Sequence, residues 1–137
     1  MTMKTIDVVA ALIEREGKLL LARRDASGDQ AGLWEFPGGK VEAGETQPAA
    51  LVRELQEEMG ITATVEEFIA TSVMQQPARL IRLHGWRVSG FTGEITLQCH
   101  SEYCWVSPDE VRSFELAPAD IPLINAYLTK STPSSSR

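Results

Sequence analysis

The sequence predicts a single α/β domain, and three observations carry that reading. Apolar, β-branched runs separated by turn residues recur along the chain, one long stretch switches to a 3.6-residue apolar period, and a second such stretch lies near the C-terminus. With 137 residues the chain has the length of one ordinary domain with a sizeable core. Its 43% hydrophobic and 23% charged residues match a globular protein rather than a disordered or membrane-embedded one.

The elements follow in order. Ile6 to Ile13 is almost continuously apolar, Glu14-Arg15-Glu16-Gly17 interrupts it, and Lys18 to Ala22 resumes, which reads as a hairpin. From Asp25 to Gly32 small and polar residues predominate. Leu33-Trp34-Glu35-Phe36 then enters Pro37-Gly38-Gly39, which permits a tight backbone path and excludes a helix before that point. After Gly44 the period changes: Leu51, Leu55 and Met59 form a stripe with Ala49 and Val52 beside it. Thr46 can cap that helix, Pro48 suits its first turn, and Gly60 stops it, so it should run from about Thr46 or Gln47 to Met59. Ile61 to Val73, Leu80 to Val88, Ile95 to Leu97 and Tyr103 to Val106 have strand composition, with breaks at Pro77, Gly90 and Gly93. Ser107 to Val111 reads as a capped helical turn. Ile121 to Leu128 reads as an amphipathic helix with Leu123, Ile124, Tyr127 and Leu128 on its apolar side. Residues 1–130 are expected to form the domain, and 131–137, rich in serine, a disordered tail.

Charge and cysteine content narrow the function. A net charge of −6 argues against broad binding to polymeric nucleic acid, which needs a surface that displaces phosphate counterions. A phosphorylated small molecule would need a local cation, a metal or well-placed arginines. Cys99 and Cys104, the two cysteines, lack the spacing of a zinc site or a disulfide framework. The N-terminus has no basic segment followed by an apolar core, and no window approaches the about 18 apolar residues of a membrane span. A cytoplasmic protein, monomer or homodimer, is expected.

The chemistry concentrates on the helix. Glu54, Glu57 and Glu58 stand at i, i+3 and i+4, so they should share one face with Leu51, Leu55 and Met59 opposite. Such a face can be merely solvated. The Gly38-Gly39 turn leading into the helix, Glu45 near its start, Arg53 before the first acid and Gly60 at the end point instead to a site for a hard divalent cation. Carboxylates suit Mg2+, which takes few protein ligands and keeps waters and substrate phosphates.

Gly39-Lys40-Val41-Glu42-Ala43-Gly44-Glu45, then residues 46–52, then Arg53-Glu54-Leu55-Gln56-Glu57-Glu58-Met59-Gly60-Ile61 resembles the full signature of the Nudix hydrolases. The resemblance implies an α/β/α sandwich with a mixed central β-sheet, and metal-dependent hydrolysis of a nucleoside diphosphate linked to another group. It implies that Glu57 and Glu58 are metal ligands, Glu54 a ligand or the base that takes a proton from water, and Glu45 an auxiliary acid. Gly39 or its neighbour Gly38 would offer a carbonyl to the metal, Mg2+ with Mn2+ as a substitute, and Arg53 would orient the glutamates.

Ala31 to Gly39, Leu83-His84-Gly85-Trp86 and Leu116 to Leu123 are similar to the MutT-type triphosphate pyrophosphohydrolases of that family, and within them to a branch acting on CTP and on oxidised or methylated nucleotides. This implies attack at the β-phosphorus, giving a nucleoside monophosphate and pyrophosphate. Asp120 matches a base-reading position, although an aspartate before an apolar helix is also an ordinary N-cap. Arg24 and Arg79 match positions that contact phosphate or base, or are solvated surface arginines. Phe36 and Trp34 can stack on a base or belong to the core. The family often places a further metal-binding glutamate where this chain has Cys99; Glu102 is the candidate replacement, and His84 and His100 read as structural. Two rivals stand beside this reading: a hydrolase of ADP-ribose or another nucleotide sugar, and a nucleotide-binding module without catalysis, which would have no need of three clustered acids.

Overall fold

Strand β1 (Lys4–Arg15) carries five consecutive buried residues, Val9 to Ile13, because it lies mid-sheet with helices on both faces. The computed structural model describes residues 4–25 and 31–131, and within it β1 organises everything else. One edge pairs in parallel with β6 (Arg79–Thr92) from Lys4↔Arg79 to Ile13↔Val88. The other edge is shared. Its first half pairs antiparallel with β4 (Gly38–Lys40), and its end pairs with β2 (Lys18–Arg24) only at Glu14↔Leu19 and Arg15↔Lys18. The hairpin expected from the sequence is therefore two residue pairs deep, closed by Glu16 and Gly17 at φ 52° and 78°, the positive values a two-residue turn requires.

Beyond that turn β2 diverges to join β3 (Trp34–Glu35) and β7 (His100–Val106), both antiparallel. Residues 26–30, inside the small polar connection, lie outside the described residues. β5 (Thr62–Gln76) completes the order β3-β2-β1-β6-β5, with β4 on β1 and β7 on β2. The sheet is mixed. Helix α1 (Gln47–Met59) covers one face over Val9, Ala11, Ile13 and Val88, and α2 (Ile121–Ser131) the other over Ala10, Leu12 and Ile69. This is the α/β/α sandwich.

Helix α1 has the predicted bounds. Thr46 Oγ1 accepts the Ala49 N–H at 3.2 Å, and Gly60 ends the helix at φ 70°. Four expectations change. Gly90 does not break β6, which runs on to Thr92. Ile95 to Leu97 is not a strand, because its neighbours serve the helix end: Thr96 and Gln98 donate their N–H groups to the carbonyls of Met59 and Glu58, which α1 leaves unpaired. Pro108–Ser113 is a 3₁₀ turn whose Ser107 makes no side-chain cap. Helix α2 continues through Ser131, so that residue is not tail, and the remainder of the expected tail lies outside the described residues. No helix among the described residues is long and apolar enough to cross a membrane.

Candidate active site

The divergence of β2 from β1 opens a cleft between two groups of strands. At one end a cavity of about 430 Å³ is lined by Val9, Gly38, Gly39, Glu58, Cys99 and His100, among others. It continues past Arg24, Glu35 and Asp120, which also line a second cavity of about 440 Å³ with Met74, Arg79 and Ala117 at the far end.

The acidic end is built by α1 and the loop before it. Arg53 is its hub. Nε and Nη2 grip the two Glu45 oxygens at 2.7 and 2.9 Å, Nη1 reaches Glu54 at 3.1 Å and Glu57 at 3.3 Å, and Nη2 also donates to the Lys40 carbonyl at 3.0 Å. This fork geometry, which lysine cannot reproduce, pulls Glu45 to a carboxyl pKa of about 2, helped by the Glu42 N–H at 2.9 Å.

Of the three acids only Glu57 sits opposite the apolar stripe as expected; Glu54 and Glu58 flank it. At about 100° per residue Glu58 lies only about 60° from Leu55, so it faces the cleft wall. Glu57 is exposed, whereas the Glu54 side chain is 14% exposed. The consequence is electrostatic. Burial, reinforced by Glu54, Glu35 and Glu57 and opposed by His100, lifts Glu58 to about 7, and burial raises Glu54 against the pull of Arg53. Gly39 lies so close to Glu54 that a Cβ there would overlap its carboxyl group, and a Cβ on Gly38 would overlap the Val9 carbonyl.

These residues fit a divalent cation by the chemistry of their donors: hard carboxylate oxygens, one of them, Glu58 Oε1, buried without a hydrogen-bond partner, beside a backbone stripped to glycine. Among the described residues no three acidic, histidine or cysteine side chains already converge on one point. A metal held here would draw its remaining ligands from backbone, water and substrate, as Mg2+ commonly does.

At the other end the expected substrate residues come together, and unexpected ones join them. Arg24 Nη1 donates to Glu35 Oε1 at 2.8 Å, and the other Glu35 oxygen meets His100 Nε2 at 2.9 Å. Asp120, 3% exposed, accepts the Phe36 N–H and leaves Oδ1 without a partner. Burial, with Glu35 nearby, raises its pKa well above the ordinary value of an aspartate. Phe36 lines the cleft but is 3% exposed and packs into the core around Ile69 and Leu123. Trp34 packs edge-on against Phe114, 5.3 Å between centroids, away from the cleft. Arg79 donates to Gln76 at 2.6 Å at the far end.

Glu102 is placed elsewhere. It pairs with Arg23 at 2.9 Å with its side chain 52% exposed, outside the residues that line the cleft. A bulge explains this: β7 pairs Glu102 with Arg23 but His100 with Arg24, so His100 rather than Glu102 turns inward. His84 is structural, held by Asp7 and Thr71, each at 2.8 Å. The sequence gives Glu35 no role, and it reads His100 as structural, like His84. A charged residue between the aromatics Trp34 and Phe36 was the available signal for Glu35; for His100 there was none, since its orientation depends on the bulge.

Comparison with known proteins agrees with this architecture. The NUDIX domain model matches residues 3–127. The chain is 55% identical to the CTP pyrophosphohydrolase of Escherichia coli over 92% of its length and 93% of that protein, and 36% identical to the 8-oxo-dGTP diphosphatase of Haemophilus influenzae over 96% and 97%. Among solved structures it resembles the E. coli ORF135 protein with a TM-score of 0.88 and 51% identity over 98% and 96% of the two chains. The MutT protein of Methanosarcina mazei superposes with a TM-score of 0.85 at 26% identity, over 95% and 97%. By its signature, its sandwich and these relatives, the chain belongs to the Nudix hydrolase family.

Proposed function

We propose that this enzyme is a Mg2+-dependent nucleoside triphosphate pyrophosphohydrolase that releases a nucleoside monophosphate and pyrophosphate, with Mn2+ as a substitute and a preference for CTP, dCTP and modified (5-methyl, 5-hydroxy, 8-oxo) nucleotides. The observation that carries the reading is one cleft with Gly39 and Glu58 of the acid box at one end and, at the other, buried Asp120 with a free oxygen beside Arg24 and Glu35. The relative named for CTP supports the base.

The ion would be held by Glu54, Glu57 and Glu58 with the Gly39 carbonyl, and supplies neutralisation of the phosphate chain and activation of water. Arg53 keeps Glu45, Glu54 and Glu57 in place. Glu54, raised from its ordinary value by burial, is suited to accept a proton from the attacking water. Arg24 and Arg79 offer donors to phosphate or base. Asp120, whose carboxyl pKa burial raises, would when protonated present one O–H donor and one acceptor, the complement of the N3 and N4 edge of cytosine. The enzyme would act on the cytoplasmic nucleotide pool.

The test is kcat/KM with product identification for canonical, 5-methyl, 5-hydroxy and 8-oxo triphosphates, with ADP-ribose as the contrasting substrate. Cytosine nucleotides should lead. Asp120→Asn, which keeps a donor and an acceptor, should preserve the ranking, whereas Asp120→Ala should flatten it. An equal loss on every substrate would reduce Asp120 to a structural role, and preference for ADP-ribose would overturn the triphosphate assignment.

A further inference from the structure

Strand β5 is the last in its sheet. Among the described residues it pairs only with β6, so its outer side offers a row of backbone N–H and C=O groups to a further strand. Folded proteins blunt such an edge with bulges, proline, charge or shortness. In β5 these devices are confined to one half. Every irregularity in its pairing falls between Thr64 and Ala70, and its two charged residues, Glu66 and Glu67, lie in the same stretch.

The other half carries none of these devices. From Ala70↔Gly85 to Gln76↔Arg79 the register is unbroken, and residues 70–76 include no charge, no proline and no glycine. At their centre stands Val73, 58% exposed, more than Phe68, Tyr103 or Ile121, the other large apolar side chains left outside among the described residues.

Charge decides what fits against this edge. Two copies of a chain with a net charge of −6 repel one another over most of their surface, but this strip is neutral. Its flanks are opposite in sign: Glu66 and Glu67 precede it, and Arg79, across the turn from Gln76, follows it. Antiparallel pairing about a two-fold axis brings the acidic start of each strand to the basic end of the other, and it needs no complementary surface beyond the strand itself. Parallel pairing would set like charges side by side.

We infer that residues 70–76 form the interface of a homodimer in which β5 of one copy pairs antiparallel with β5 of a second. The two-fold axis sets Val73 opposite the partner's Val73, a β-branched cross-strand pair. The two sheets become one, and β5, whose Met74 and Gln76 line the cleft, is held along both edges. The inference is independent of the metal and of the nucleotide.

The test is analytical ultracentrifugation of the full chain over a concentration series. Wild-type protein should pass from the mass of one chain to that of two as concentration rises. Val73→Lys, which sets two ammonium groups directly opposite each other, should keep the mass of one chain throughout, while its melting temperature at low concentration matches that of the parent. On mild oxidation Val73→Cys should join two copies through residue 73, because directly opposed strand residues stand about 4.5–5.5 Å apart between Cα atoms, within reach of a disulfide. Peptide mapping distinguishes that bond from any formed by Cys99 or Cys104. A wild-type chain that stays single up to its solubility limit would overturn the inference and leave the edge to a strand of another protein. A dimer that persists in Val73→Lys, or one that Val73→Cys does not lock through residue 73, would place the contact elsewhere and overturn it as well.

Discussion

Glu58 and Glu45 show how one residue type acquires opposite properties from a few ångströms of context, the first raised by burial and the second lowered by Arg53. The Glu58 carboxyl is raised to about 7 by burial, above its ordinary value, so the stability it contributes is fully present below the ordinary carboxylate range and is lost as pH rises through about 7. In metal-free protein, Glu58→Gln should therefore be more resistant to urea than the parent at pH 8, with the gap closing near pH 5. Excess Mg2+ should reverse the order at pH 8, because a ligand that binds the ionised group stabilises the parent. A gap independent of pH would show that Glu58 is solvated in the folded state. Arg53 works by geometry instead: its fork holds Glu45 through two bonds and touches Glu54 and Glu57. Arg53→Lys keeps the charge and loses the fork, so metal affinity by calorimetry should fall about 10–100-fold, the usual effect of removing a group that orients ligands, while the melting temperature changes little.

At the scale of elements the short strand β4 carries the clearest contrast. Its adjacent glycines answer to different neighbours, Gly38 to the Val9 carbonyl and Gly39 to the Glu54 side chain. Gly38→Ala must move the backbone of a central strand and should lower stability by about 1–3 kcal/mol or more in chemical denaturation. Gly39→Ala meets only a side chain that can rotate, so it should spare most of the stability and instead displace Glu54, lowering kcat and metal affinity together. Equal loss of stability in both would mean that β4 responds as a unit. The same element explains a limit of the sequence reading. Pro37-Gly38-Gly39 announces a tight path, but nothing in those residues says that the path is a strand on β1; that follows from Val8, Val9 and Ala10 lying opposite.

For the whole molecule, a metal held by the α1 glutamates and the Gly39 carbonyl of β4 would tie the helix to the central sheet, so its binding should be read globally. At a hundredfold excess over its dissociation constant an ion that binds only the folded state adds about 2.7 kcal/mol. Mg2+ should thus raise the thermal midpoint by several degrees, chelation should remove the gain, and Glu57→Gln should reduce it. A midpoint indifferent to Mg2+ in differential scanning fluorimetry would count against a metal at this site.

The sequence by itself determined what depends on local rules: the helix Gln47–Met59 with Thr46 and Gly60 at its ends, the long strands, and the acid box, because capping, apolar period and fixed spacing act within a few residues. Arg24, Arg79 and Asp120 could be singled out by resemblance, but that all three line one cleft was decided by β2 leaving β1 after two residue pairs. The tertiary structure alone decided that Glu58 is half-buried, that Glu102 turns to Arg23, and that His100 meets Glu35. Those outcomes rest on burial and on a bulge in the pairing of distant strands, and neither quantity is a property of any short segment of the chain.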